Sequence, residues 1–236
     1  MNLILLDDRD FISADRVRLQ DDRCRHILRV LGAKPGDSLV CGKKNAKMGT
    51  GLIVSIDRQS IEMTVHLEHD PPAPLPVTLV LALPRPKMLK RILQSLASLG
   101  VKEIFLINSR RVERSFWGSG VLSDSDIQRH LELGLCQARD TLVPRVHLKR
   151  FFSPFVKEEL PELSRNKKKI LAHPQAQSFC PVSLNSDAVL VIGPEGGFID
   201  LEVQTLVDQG FKPMTMGTRI LRVETAVTAL VSRLFS

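Results

Sequence analysis

The sequence predicts an α/β protein: a small β-barrel first, then a larger domain built on a mainly parallel sheet. Three observations carry that prediction. Short strands separated by turns fill residues 1–70. Four prolines crowd the nine residues 69–77, a stretch too stiff and too poor in N–H donors to join a sheet interior. Beyond it, continuous apolar runs alternate with amphipathic helical stretches, the pattern of strands buried on both faces.

In chain order, the strand candidates of the first part are Leu3–Leu6, Arg16–Leu19, Ser38–Cys41, Thr50–Asp57 and Ser60–Leu67. One helix interrupts them, from Asp22 to Leu31; Gly32 ends it and Lys34-Pro35-Gly36-Asp37 makes a tight turn. The domain limits expected are 1–70 for the barrel, 71–76 for the linker and 77–236 for the α/β domain. That domain opens on the apolar run Val77–Leu83. Pro86–Leu99 follows, a helix with Met88, Leu89, Ile92, Leu93, Leu96 and Leu99 on one side. Strands are expected at Val101–Ile107, Val146–Phe151, Lys169–Ala172, Ala188–Ile192 and Lys212–Met216. Helices are expected at about 124–142, 154–163, 201–207 and 224–235.

Composition excludes several classes. No apolar run approaches the roughly 20 residues that a bilayer span needs, and the N-terminus carries no basic leader of a secretory signal. Cys24, Cys41, Cys136 and Cys180 are scattered without a CxxC pair, and the 6 histidines are equally dispersed. Reduced thiols, a cytoplasmic location and no metal site are therefore expected. The net charge of +7 tilts toward a polyanionic partner. With no Tyr and only Trp117, aromatic base-stacking across a sheet is improbable, so any RNA is held mainly through charge and shape.

In an open α/β sheet, ligands collect at the carboxyl ends of strands. Three loops qualify: Leu-Ala-His-Pro-Gln-Ala (171–176), Ile-Gly-Pro-Glu-Gly-Gly-Phe (192–198) and Met-Gly-Thr-Arg-Ile-Leu-Arg-Val-Glu-Thr-Ala (216–226). The middle one is neither GxxxxGK[ST] nor GxGxxG, which weakens the usual nucleotide assignments. Glycines there let backbone groups approach a flat, uncharged ring; the plainer alternative is a glycine-rich turn with Asp200 capping the next helix. Arg219, Arg222, Glu224 and Thr225 form a polar cluster, or else simply a helix start with Glu224 on the positive end of the dipole. Arg23, Arg25, Arg29, Lys34, Lys43 and Lys44 are candidates for a basic, phosphate-binding face, extended by Lys87. Arg111 and Arg114 lie in an arginine-rich loop, 108–120, readable as an exposed loop or as a lid that contacts substrate.

The C-terminal motifs, IGPEGGF then MGTRILRVETA with AHP upstream, resemble those of the 16S ribosomal RNA uridine-N3 methyltransferase family of the SPOUT superfamily. RHILRVL followed by PGD is similar to the family's PUA-like, RNA-binding barrel, and the resemblance spans essentially the whole chain. It implies a trefoil knot that holds S-adenosyl-L-methionine, and a homodimer acting on small-subunit ribosomal RNA. Carried over by position, Leu171, His173, Gly193, Pro194, Glu195, Gly196, Gly197, Met216, Gly217, Ile220, Leu221 and Thr225 would surround the cofactor. A side chain within 193–197 would then block the ligand from the backbone.

Uridine N3 carries a proton, so its methylation needs that proton removed or the anion stabilised. Arg114 or Arg222 is expected to stabilise the anion, with Glu195 or Glu224 orienting arginine or ring. The chain departs from the family where its first long helix reads Gln94-Ser95-Leu96-Ala97-Ser98-Leu99-Gly100 in place of QKxxELG, and where Cys136-Gln137-Ala138-Arg139-Asp140 replaces EQ(S/C)xR. Two alternatives stay open: the same cofactor with another RNA site or base, and a non-catalytic RNA-binding or ribosome-assembly factor.

Overall fold

Six strands, all parallel, make the larger of two sheets. They are β6 (Val77–Ala82), β7 (Glu103–Ile107), β8 (Arg145–Lys149), β9 (Lys168–Ala172), β10 (Ala188–Ile192) and β11 (Lys212–Met214), ordered β11-β9-β10-β6-β7-β8. The computed structural model describes residues 2–235; Met1 and Ser236, the outer limits of the two expected domains, lie outside them. The two central strands, β10 and β6, are buried along their whole length, as their unbroken apolar sequences require of a sheet covered on both faces.

The register aligns one row of residues across the sheet: Met214, Ala172, Ile192, Leu81, Leu106 and Leu148. Every one of these strands ends at or within one residue of that row. The segments that follow therefore all leave from one edge.

Helix α2 (Pro86–Leu99) buries Leu89, Ile92, Leu93, Leu96 and Ala97 and packs against α7 (Val223–Phe235), which buries Val227, Leu230, Val231 and Leu234. Leu93, Leu96, Val227, Leu230 and Leu234 are thus core residues within the chain. Helix α6 (Asp200–Asp208) follows β10. Between β8 and β9 runs a helical stretch, α4 at Phe152–Pro154 and α5 at Leu160–Leu163 with a π-helical turn at Phe155–Glu159 between them. Among the described residues, no helix is long and apolar enough to cross a membrane.

The smaller sheet joins β1 (Ile4–Leu6), β2 (Arg16–Leu19), β3 (Ser38–Lys43), β4 (Met48–Ile56) and β5 (Ile61–His69) in the order β1-β3-β4-β5-β2. β1 pairs parallel to β3 and the other pairs are antiparallel. Two register shifts in the β4–β5 ladder curl it. Its core is Ile4, Leu6, Val17, Leu19, Cys24, Ile27, Cys41, Ile53, Ile61 and Met63. Cys24 and Ile27 come from α1 (Asp22–His26) and the π-helical turn Ile27–Leu31 that continues it to Gly32.

The chain divides into two compact units. One holds the residues up to Ala73 together with Glu132–Val143; the other holds Pro74–Leu131 and everything from Pro144 onward. The second piece of the first unit takes in the last residues of α3 (Asp124–Ala138), which stops four residues short of the 142 expected from sequence. Arg139 turns to φ +55° and ends the helix. The following residues are pinned to the β3–β4 turn: Asn45 N donates to Thr141 O at 2.8 Å, and Thr141 Oγ1 donates to Ala46 O at 2.5 Å. Thr141 is wholly buried.

Candidate functional site

The row Met214–Ala172–Ile192 launches the three loops singled out in the sequence, from three adjacent strands. Thr215, a buried residue that sequence reading passed over, ties two of them together. Its hydroxyl donates to Gly217 O at 2.9 Å and approaches Pro174 O at 3.4 Å. His173 N donates to Met214 O at 2.9 Å, and His173 Nδ1 accepts from Gln175 N at 3.3 Å. Segment 178–180 runs alongside: Thr215 N donates to Ser178 O, and Cys180 N to Thr215 O, both at 2.8 Å. Arg233 Nε on α7 reaches Cys180 O at 2.8 Å.

The loop after β10 is braced from two sides. Gly197 N donates to Pro194 O at 2.8 Å, closing a turn that puts Gly197 at φ +72°, where a β-carbon is strained. Glu195 Oε1 accepts from Arg85 N at 3.0 Å. Arg85 precedes α2, and that helix has no other side-chain cap, so Glu195 supplies one across 110 positions of sequence. Arg111 Nη1 donates to Gly196 O at 2.5 Å.

The need for glycine here is partly internal. A β-carbon on Gly196 would stand 3.2 Å from Arg111 Cδ, and one on Gly193 would stand 3.1 Å from Phe198 Cδ2. The nearest atoms that a side chain would meet at these two positions are the protein's own. Gly217, at φ +137°, has nothing within 4 Å of a built β-carbon and faces open space.

Glu202 is the residue bracing this region that the sequence gave least sign of. Only 6% exposed, it accepts from Arg110 N at 2.7 Å and from Ile199 N at 3.1 Å. It thereby clamps the segment after β7 to the start of α6. Asp200, expected as that helix's cap, is instead its first residue and exposed; the reach-back from the third helical position does the capping.

The remaining predicted residues fall as follows. Leu171 is fully buried in β9; Met216 and Leu221 are half-buried, and Ile220 is 82% exposed. Pro194 is buried, and Thr225 is exposed on the first turn of α7 beside Glu224. Arg222 O accepts from Ala226 N at 2.8 Å, so the loop runs directly into α7. The Arg114, Arg219 and Arg222 side chains are exposed and form no ion pair among the described residues. The loop 108–120 is folded rather than slack. It holds 3-10 turns at Arg114–Gly118 and Gly120–Leu122, and Trp117 is held by Asn108 Oδ1 at 3.0 Å with Arg150 over its ring.

In the small unit, several of the basic candidates are committed to structure. Arg23 makes a two-pronged contact of 2.7 Å per prong with buried Asp10, a third ion pair with Asp21 at 2.7 Å, and a bond to Leu5 O at 2.6 Å. Burial disfavours its charge, but the bonds to Asp21 and Asp10 outweigh that and raise its pKa further. Lys44 sits between Asp7 and Glu132 at 2.6 Å each. Burial again opposes, those two carboxylates prevail, and its pKa rises. Lys43 pairs with Asp8 at 2.6 Å and Arg25 with exposed Asp22. The Arg29 and Lys34 side chains are exposed, without an ion-pair partner among the described residues. Lys87 on α2 is exposed in the same way. No cluster among the described residues has the ligands for a metal ion.

Residues 71–235 match the family model described as RNA methyltransferase domain. The chain is 30% identical over 235 residues to the ribosomal RNA small subunit methyltransferase E of Treponema pallidum, across 97% of this chain and 88% of that protein. It is 26% identical over 232 residues to ribosomal RNA small subunit methyltransferase E 1 of Borreliella burgdorferi, across 97% and 95%. Two solved structures share the fold over 98% of this chain and 95% of theirs. One is a ribosomal RNA small subunit methyltransferase E from Neisseria gonorrhoeae bound to S-adenosyl methionine, with a TM-score of 0.75 at 24% identity. The other is a methyltransferase from Legionella pneumophila in complex with the same cofactor, with a TM-score of 0.78 at 23% identity.

Proposed function

The chain belongs to the RNA methyltransferase domain family, and from that premise we propose that it transfers a methyl group from S-adenosylmethionine to N3 of a uridine in small-subunit ribosomal RNA. The observation that carries the cofactor side is the convergence of three loops, from β9, β10 and β11, on one edge of the sheet. Relatives named as ribosomal RNA small subunit methyltransferases along nearly the whole chain support the RNA class.

The residues present suit the cofactor. Open space at Gly217, backbone groups of a glycine-rich turn and the exposed, apolar Ile220 beside half-buried Leu221 and Met216 offer edges and faces for a flat ring. Leu171, His173, Gly193, Pro194, Glu195, Gly196, Gly197 and Thr225 complete the proposed set. When bound, S-adenosylmethionine supplies an electrophilic methyl group on a positively charged sulfur.

The chain's own task is to make uridine N3 nucleophilic. Arg114 and Arg222, exposed and without ion pairs among the described residues, are the proposed partners of the anionic ring. Glu224, on the first turn of α7, is proposed to orient Arg222 or the ring. Glu195 is proposed to orient indirectly, because its carboxylate caps α2. The target base must be unstacked to reach such a site.

The domain roles follow the same reading. Residues 1–70 form a PUA-like, RNA-binding barrel, supported by the curled five-stranded sheet and by exposed Arg29 and Lys34, without an ion pair among the described residues. Residues 71–76 form the linker, and residues 77–236 form a SPOUT domain with a trefoil knot. The bonds that hold Thr215 and the end of α7 against segment 178–184 support that threading. A cytoplasmic homodimer completes the proposal, on family resemblance alone.

Calorimetric titration of S-adenosylmethionine into the purified protein tests the reading. Binding is expected, and Gly217→Ala is expected to weaken it; because Gly217 lies at φ +137°, the variant's thermal unfolding is measured beside the titration so that strain and lost binding are told apart. Transfer of labelled methyl to small-subunit ribosomal RNA, with the modified nucleotide mapped, tests the base. Absence of cofactor binding would leave an RNA-binding factor without this chemistry.

A further inference from the structure

The sheet edge that carries the three loops continues past β10 to β6 and β7. The segments leaving those two strands border a shallow, open groove of about 620 Å³, lined by Lys87, Lys90, Ser119, Gly120, Ser123 and Asp126. It belongs to none of the loops assigned to the cofactor. That volume lies in the range of roughly 300–1,000 Å³ typical of small-molecule sites, well beyond a single inorganic anion.

The lining has the chemistry of a phosphodiester site. Lys87 is exposed and without an ion-pair partner among the described residues. Lys90 Nζ stands 3.4 Å from Asp126 Oδ2, so the groove's one carboxylate is already offset. Two hydroxyls, of Ser119 and Ser123, add neutral donors. Pro86 and Val121 supply apolar wall for a sugar or base.

Two bonds link this groove to the loop after β10. Arg85, immediately before the groove's Pro86 and Lys87, donates its N–H to Glu195, and Arg111, on the segment leading to Ser119, donates to Gly196. We infer that the groove holds a nucleotide of the RNA substrate next to the methylated one, with its phosphate on Lys87 and the serine hydroxyls. This rests on the reading of the chain as an RNA methyltransferase and assigns the acceptor strand a track along β6 and β7, beside the donor site.

Methyl transfer to small-subunit ribosomal RNA by the full-length protein tests it, with two independent variants. Lys87→Ala removes the proposed phosphate contact. Gly120→Leu fills the groove, and a β-carbon there meets nothing within 4 Å at an ordinary backbone angle, so it adds bulk without strain. Both are expected to raise KM for RNA by roughly threefold to tenfold, and Lys87→Ala to lower the salt dependence of RNA binding by about one ion. Lys87→Arg is expected to restore KM, and cofactor affinity should not move in any of the three. Unchanged KM in both Lys87→Ala and Gly120→Leu, with normal wild-type turnover, overturns the groove assignment alone. Wild-type protein that neither binds cofactor nor methylates RNA overturns the functional reading and this assignment with it.

Discussion

Arg111 crosses Gly196 closely enough that its Cδ would stand 3.2 Å from any β-carbon placed there, while its guanidinium holds the Gly196 carbonyl at 2.5 Å. A neighbouring side chain therefore crowds this position, independently of any ligand. Gly197 is required by its backbone angle. Gly197→Ala should cost about 1–2 kcal/mol of stability, whereas Gly196→Ala should cost less, because the Arg111 side chain can shift. Urea denaturation of the two variants separates these causes.

Glu195 caps α2, and that sets its variants apart. Glu195→Ala should destabilise by about 1 kcal/mol, the ordinary cost of a lost cap. Glu195→Gln keeps an oxygen to accept from Arg85 N and should retain both stability and most turnover. A loss of turnover in Glu195→Gln with stability intact would make this carboxylate a proton acceptor instead.

Arg114 and Arg222 are exposed guanidiniums, each without an ion pair among the described residues. Each replaced by Ala should lower turnover by about 10²-fold or more if it stabilises the uridine anion, with cofactor affinity kept within a few-fold. Single-turnover methyl transfer beside calorimetry reads both quantities. Unchanged turnover in both variants removes them from the chemistry.

Glu202 has a structural task. Glu202→Ala strands the N–H groups of Arg110 and Ile199 and should cost about 3 kcal/mol. Glu202→Gln, which keeps one acceptor oxygen, should cost visibly less. Equal losses in the two variants would mean that packing volume, and not hydrogen bonding, is what Glu202 supplies.

His130 is buried on α3, with Nδ1 facing the Gln94 amide at 2.9 Å and no partner for Nε2 among the described residues. Burial lowers its pKa from the usual 6.5; Asp126 opposes this and Lys90 and Arg129 add to it. The unfolded chain thus takes up the proton first as pH falls. His130's contribution to stability is full above pH 6.5 and declines below it. The unfolding midpoint of His130→Gln should therefore fall less steeply than that of the wild type as pH drops below neutrality. Parallel slopes would show that His130 does not titrate differently in the two states.

Periodicity alone was enough for most elements. Pro86–Leu99 and Ala188–Ile192 fall where their apolar spacing put them, and strands β2, β6 and β9 differ from expectation by at most one residue. Helix α3 did not: it ends where Arg139 takes φ +55°, and the residues beyond are held by Thr141 on the β3–β4 turn, almost a hundred positions away, which no local pattern announces. The basic residues divide for the same reason. Arg23 and Lys44 look as available in sequence as Arg29 and Lys34, yet their carboxylate partners are Asp10 and Glu132, and only folding brings the latter to Lys44.

The sequence by itself determined the element types, the α/β class and the order of the three glycine- and arginine-bearing loops, because these depend on side-chain spacing within a few residues. Tertiary structure decided what those loops lean on. The parallel register sets Met214, Ala172 and Ile192 in one row, and so brings Thr215 to Pro174, Glu195 to Arg85, Arg111 to Gly196 and Glu202 to Arg110. These pairs lie 41 to 110 residues apart in sequence. A hydrogen bond depends on distance in space, and strand order, which no local pattern encodes, is what converts one separation into the other.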